Sequence, residues 1–150
     1  MNINKILWPT DFSEPSYEAL KVAKEMALMH KAELYLAHII TPLPPFAPPP
    51  EGRPTFNVSE YIENLRISAE KSLQEVIDKK IGNNLITQPI ILHGDAAGEI
   101  ARIADKTNTD LIIIASHGTS GWKPFPVGSV TEKLVRICTV PLQIIPKPNY

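Results

Sequence analysis

Leu111 to Ala115 reads LIIIA, five consecutive apolar residues between Asp110 and a Ser116-His117-Gly118 turn. A run that is apolar on both faces fits a central strand of a parallel sheet, covered by helices on each side. Beyond it the chain crosses a loop carrying Gly118 and Gly121 and reaches Gly128-Ser129-Val130-Thr131, where a helical pattern begins. Buried strand, glycine loop and helix start, in that order, is how α/β proteins build anion sites. Glycines let the backbone come close, and the unpaired N–H groups of the first helical turn point at the anion.

The rest of the chain repeats the same alternation. Strand candidates are Lys5 to Trp8, ending at Pro9, then Glu33 to Ile40, Gln88 to Leu92 and Val140 to Ile145. Between them lie helical segments. The first spans about Glu14 to His30, with Ser13 as N-cap, Pro15 in the first turn, and a buried face of Leu20, Ala23 and Ala27 widened by Ala19, Val22 and Met26. The second, about Val58 to Lys80, places Val58, Ile62, Leu65, Ala69, Leu73, Val76 and Ile77 at three- and four-residue steps, and Gly82-Asn83-Asn84 ends it. The third, about Ala97 to Lys106, buries Ile100, Ile103 and Ala104. The fourth opens at Ser129, which has capping-box spacing to Glu132.

This order predicts one domain over residues 1–150, an α/β fold with an open parallel five-stranded sheet, right-handed crossovers and helices on both faces. Ligands of such sheets bind beyond the carboxyl ends of the strands, where strand order reverses. Two loops at that edge therefore matter most: Pro9-Thr10-Asp11 and Ala115 to Ser129.

Composition narrows the function classes. A net charge of −1 with mixed acids and bases argues against a nucleic-acid or anionic-membrane role. Neither a signal sequence nor an apolar run near the about 18 residues of a membrane span is present, which predicts a soluble cytoplasmic protein. The single Cys138 excludes an intramolecular disulfide; on the apolar face of Leu134 and Val135 it reads as packed rather than reactive. Thr41 to Pro54 holds seven of the fifteen prolines and reads as a stiff loop at the binding edge: a surface loop, a lid or a docking segment.

Few residues offer chemistry. Asp11 can accept from ribose hydroxyls or an adenine amino group, or cap the first helix. Ile39 can wall a base or simply be buried. His117 fits a turn-organising or phosphate-neighbouring role better than a general base, since no nucleophile and orienting group accompany it. Gly118, Gly128, Ser129, Val130 and Thr131 form the phosphate candidate, although capping alone would explain Ser129. Lys123 in the crossing loop is solvated or approaches phosphates. The four histidines lack metal-ligand spacing, and the Walker sequence is absent. Binding is better supported than turnover, because phosphoryl transfer normally needs several carboxylates and a fixed cation.

Taken together, these segments resemble the universal stress proteins over nearly the whole chain. The resemblance rests on Ile6-Leu7-Trp8-Pro9-Thr10-Asp11-Phe12-Ser13, Ala37-His38-Ile39-Ile40, Gly94-Asp95-Ala96-Ala97, Asp110 to Thr131, and Val140 to Ile145. ATP-binding members carry G-x2-G-x9-G-[S/T]. Gly118 and Gly128-Ser129 match its later part, Ala115 stands for the first glycine, and Trp122 to Pro126 replaces a usually helical stretch. The resemblance implies a Rossmann-like fold of the adenine nucleotide alpha-hydrolase type. It implies Pro9, Thr10, Asp11 and Ile39 around adenosine, Ile114 and Ala115 beside base or ribose, and Gly118, Gly128, Ser129, Val130 and Thr131 at phosphates. It further implies ATP or a related adenine nucleotide, with or without Mg2+, and a homodimer through the last strand. The expected function is a stress-response regulator or adaptor, with an unidentified protein partner left open. The alternatives are a slow ATPase or self-phosphorylating enzyme, and a nucleotide-free dimeric adaptor.

Overall fold

The computed structural model describes residues 1–42, 57–118 and 127–147. Five strands, β1 (Lys5–Pro9), β2 (Glu33–Ile40), β3 (Thr87–His93), β4 (Leu111–Ala115) and β5 (Leu142–Ile145), form one sheet in the order β3-β2-β1-β4-β5, parallel at every pairing. The order reverses between β1 and β4, so the crevice that such sheets use for ligands lies at the ends of those two strands.

The helices are α1 (Glu14–His30), α2 (Val58–Val76), α3 (Ala96–Thr107) and α4 (Ser129–Ile137). Residues of α1 and α2, such as Ala23 and Leu73, pack with Ile6, Trp8, Leu34, Leu36 and Ile113 on one sheet face. Residues of α3 and α4, such as Ile100 and Leu134, pack with Leu7, Ala37, Ile112 and Ile114 on the other. All of LIIIA is buried, as a strand covered on both faces must be. Trp8 is fully buried between strand and α1, and its indole N–H donates to the Ser16 carbonyl at 3.0 Å.

Differences from the sequence expectation are local. The second helix does not run as one α-helix to Lys80: α2 ends at Val76 and a π-helical turn, Ile77–Ile81, carries the chain to Gly82. β5 starts at Leu142, not Val140, because Pro141 has no N–H for the ladder and contributes only its carbonyl, to the Ile112 amide at 2.9 Å. Val135 is exposed rather than sharing an apolar face with Leu134, while Cys138 packs at the edge of the α3–α4 core and its thiol meets the Val140 carbonyl. Residues 43–54 of the proline-rich segment lie outside the described residues.

Candidate functional site

The loop after β1 is built around Thr10. Its amide donates to the Ala37 carbonyl at 2.8 Å, and its hydroxyl oxygen accepts from the Phe12 amide at 2.9 Å and from the Ser16 hydroxyl at 2.6 Å. Thr10 is buried, so its side chain serves the loop. The bend takes Phe12 into the left-handed region, φ 62°, which a bulky residue adopts only when its surroundings hold it there. The phenyl ring lies on the His38 imidazole, centroids 4.7 Å apart. The His38 Nδ1 donates to the Thr10 carbonyl at 2.9 Å, since a carbonyl only accepts.

Asp11 does not cap α1 itself. Its Oδ1 accepts from the Ser13 amide at 3.0 Å and from the Ser13 hydroxyl, and Ser13 caps the helix toward the Ser16 amide. The other carboxylate oxygen, Oδ2, lies against Gly118, where a β-carbon would have to displace it. Asp11 thus fixes the start of α1 and faces the end of β4.

The two described ends of the loop after β4 are bonded to each other. The Ser116 amide donates to Ile145, and the Ser116 carbonyl accepts from the Gly128 amide at 2.6 Å. Thr131 is buried and its hydroxyl donates to the Ala115 carbonyl at 2.9 Å, tying the first turn of α4 to the end of the strand. The Ser116 hydroxyl is 3.0 Å from the His117 Nδ1 and accepts from the Lys147 amide at 3.2 Å.

Ser129 is not the N-cap of α4, and no capping box forms. Gly128 holds the cap position in extended conformation, with the Glu132 amide bonded to its carbonyl, while the Glu132 side chain pairs with Arg136. Helices α1, α2 and α3 are capped by Ser13, Asn57 and Asp95, but a glycine cap offers no side chain. Among the described residues no side chain caps the first-turn amides of Ser129, Val130 and Thr131, which have the positive end of the helix dipole behind them.

These two loops bound one cavity of about 620 Å³, within the range that holds small ligands. Pro9, Thr10 and Asp11 line it from β1, and Ile39 from β2. Ile114, Ala115, His117 and Gly118 line it from β4, and Gly128, Ser129, Val130 and Thr131 from α4. The candidate residues of the two loops and of β2 that the structure describes are thereby brought to one place. Lys123 and Trp122 to Pro126 lie outside the described residues.

One wall was missed. Tyr61, Leu65, Ser68 and Ser72 of α2 also line the cavity, as do Phe12, His38 and Ile40. The α2 four recur at helical spacing, a signal visible in the sequence, but only Leu65 was counted there, as part of a core face. The start of that face is in fact open: Val58 is 48 % exposed.

Electrostatically the site is sparse. Asp11 is the carboxylate among the described lining residues, and no Lys or Arg lines it there. Lys133 on α4 is instead paired with Asp95 at 2.8 Å. That Lys133 hydrogen bond, followed by the Gly98 amide, holds the Asp95 carboxyl below its ordinary value. Compensation for an anion would come from backbone dipoles. Among the described residues no group of three or more His, Cys, Asp or Glu side chains is placed to hold a metal ion.

Residues 2–146 match the sequence profile of the universal stress protein family. The universal stress protein MJ0531 of Methanocaldococcus jannaschii is 31 % identical over 145 residues, covering 97 % of this chain and 83 % of that protein. The solved structure of the hypothetical protein MJ0577 from the same organism superposes over 100 % of both chains with a TM-score of 0.69 and 28 % identity. A universal stress protein from Archaeoglobus fulgidus in complex with dAMP shares the fold, with TM-score 0.63 and 19 % identity over 97 % of this chain and 99 % of that one.

Proposed function

The chain belongs to the universal stress protein family, and we propose that its cavity binds ATP or a closely related adenine nucleotide. The uncapped start of α4, set across Gly118 from Asp11 at the reversal point of the sheet, carries this proposal. First-turn amides and the helix dipole suit a phosphate, each such contact contributing about 0.3–1 kcal/mol at an exposed site. Ile39 and Ile114 offer apolar walls for a base, and Asp11 a carboxylate for ribose or amino hydrogens. The dAMP complex of the Archaeoglobus relative supports the ligand class.

Among the described lining residues there is no Lys or Arg and Asp11 is the one carboxylate, a set suited to holding a nucleotide rather than cleaving it. Any Mg2+ would enter with the triphosphate, Asp11 being the side chain able to meet it. We take the protein to be a cytoplasmic regulator or adaptor that responds to nucleotide, and not a fast enzyme. The dimer is proposed on the sheet edge: β5 is half-buried and pairs with β4 on one side, leaving its outer side for a second copy.

Mass spectrometry of the protein as isolated tests the ligand class. An adenine nucleotide released on denaturation supports it; release of a different nucleotide replaces it. Turnover of Mg-ATP that Ser129→Ala abolishes and a distant substitution spares would favour the enzyme instead.

A further inference from the structure

The cavity is not confined to the face where the nucleotide is proposed to lie. Along β2, Leu34 and Leu36 pack with α1 and α2, whereas Tyr35, Ala37 and Ile39 pack with α3 and its neighbours. Strand alternation therefore sends His38 and Ile40 to the α1–α2 face. Ile39 and Ile40 nonetheless line the same cavity. It must wrap the carboxyl end of the sheet and continue as a second lobe beneath α2.

That lobe has a defined chemistry. Ile40, Leu65 and Ala69 make it apolar, and the stacked rings of Phe12 and His38 form one side. Ser68 and Ser72, one turn apart on α2, bring hydroxyls to its wall. With Nδ1 committed to the Thr10 carbonyl, His38 keeps Nε2 as its remaining hydrogen-bonding atom. None of the charged residues of α2 lines the lobe, although Glu63, Arg66 and Glu70 stand on the same helix, engaged with one another. An uncharged, flat ring with a few hydrogen-bonding atoms satisfies these walls, and a phosphate does not.

We infer that the α2 lobe takes a second nucleobase, so that the preferred ligand class of this site is a dinucleoside polyphosphate. The inference rests on the nucleotide site proposed above and deepens it. One base would lie at Ile39 and Ile114, the phosphates at the start of α4, and the second base against Phe12, His38 and Tyr61. Stacking of a base on aromatic side chains is worth enough to give about a tenfold gain in affinity.

The test compares ATP with diadenosine tetraphosphate, which is ATP extended by one AMP, by calorimetry on the nucleotide-stripped full chain. The expected result is binding of the dinucleotide about tenfold tighter than ATP. Ser72→Phe fills the lobe and Ser68→Phe its exposed rim, so one is available should the other fold poorly. Each should abolish the advantage of the dinucleotide while ATP still binds. Equal affinities in the unaltered protein overturn the inference, as does an advantage that survives both substitutions or a loss of ATP binding in both. If ATP itself gives no heat with the unaltered protein, the nucleotide site fails, and the second base falls with it.

Discussion

Asp11 and Gly118 meet across the ends of β1 and β4: a β-carbon at position 118 would lie inside contact distance of the Asp11 Oδ2. The contact joins the two loops at the point where strand order reverses, so a side chain at position 118 would require the Asp11 carboxylate to move. Gly118→Ala should push the carboxylate aside and disturb its bonds to Ser13, weakening ATP binding by about tenfold or more. In the double variant Asp11→Gly/Gly118→Ala the obstruction is gone. A double-mutant cycle by calorimetry should then show the glycine substitution costing much less than it does opposite Asp11.

Thr131 secures α4 to the strand that precedes it. Thr131→Val keeps the shape but leaves the buried Ala115 carbonyl without the hydroxyl at 2.9 Å, and should cost about 1–3 kcal/mol of stability. Thr131→Ser, which retains the donor, should lose much less. Urea denaturation with an unchanged m-value checks both.

How much of this was legible in the sequence depends on the range of the interaction. The strand runs and the Pro9-Thr10-Asp11 and Ser116-His117-Gly118 breaks are local signals, so the two site loops could be located from them. Gly128 could not be understood the same way. It was read as clearance for a phosphate, but its β-carbon would meet the Ser116 carbonyl at 3.2 Å and the His117 α-carbon at 3.4 Å, so it also clears its own backbone. Nor could Ser129 be distinguished from a cap, because the cap is decided by where Gly128 is pinned to Ser116. The α2 wall was lost because a stripe that begins over a cavity and ends in a core has one continuous pattern. The left-handed Phe12 is set by its contacts with Thr10 and His38, which no local preference encodes.

The proposed dimer can be tested through the register of β5. The carbonyls of Pro141 and Ile145 accept from Ile112 of β4 and from Ser116 just beyond it, so Leu142 and Ile144 turn their backbone groups to the outer edge. Ile144→Pro removes an outward N–H and leaves the β4 ladder intact. Sedimentation should show a dimer for the unaltered chain and a monomer for the variant, with circular dichroism unchanged. A dimer that persists in the variant would place the interface elsewhere.

Asp95 contributes to an acid-side loss of stability. Its carboxyl is held below the ordinary 3.8 by Lys133 and the Gly98 amide, so the folded state favours the charged form. That stabilisation is present above 3.8 and is lost as pH falls through the lower folded value. Asp95→Ala should lower Tm at neutral pH by removing both the cap and the ion pair, and should flatten the fall of Tm below about pH 4. Asp95→Asn should recover part of the neutral-pH loss, since asparagine caps as well. Thermal melts across that range decide it.

Calorimetric titration of nucleotide-stripped protein with ATP reaches the central claim most directly. A saturable heat corresponding to one site per chain, strongly reduced in Gly118→Ala, is the predicted result. No heat at millimolar ATP from protein shown to be folded would contradict it.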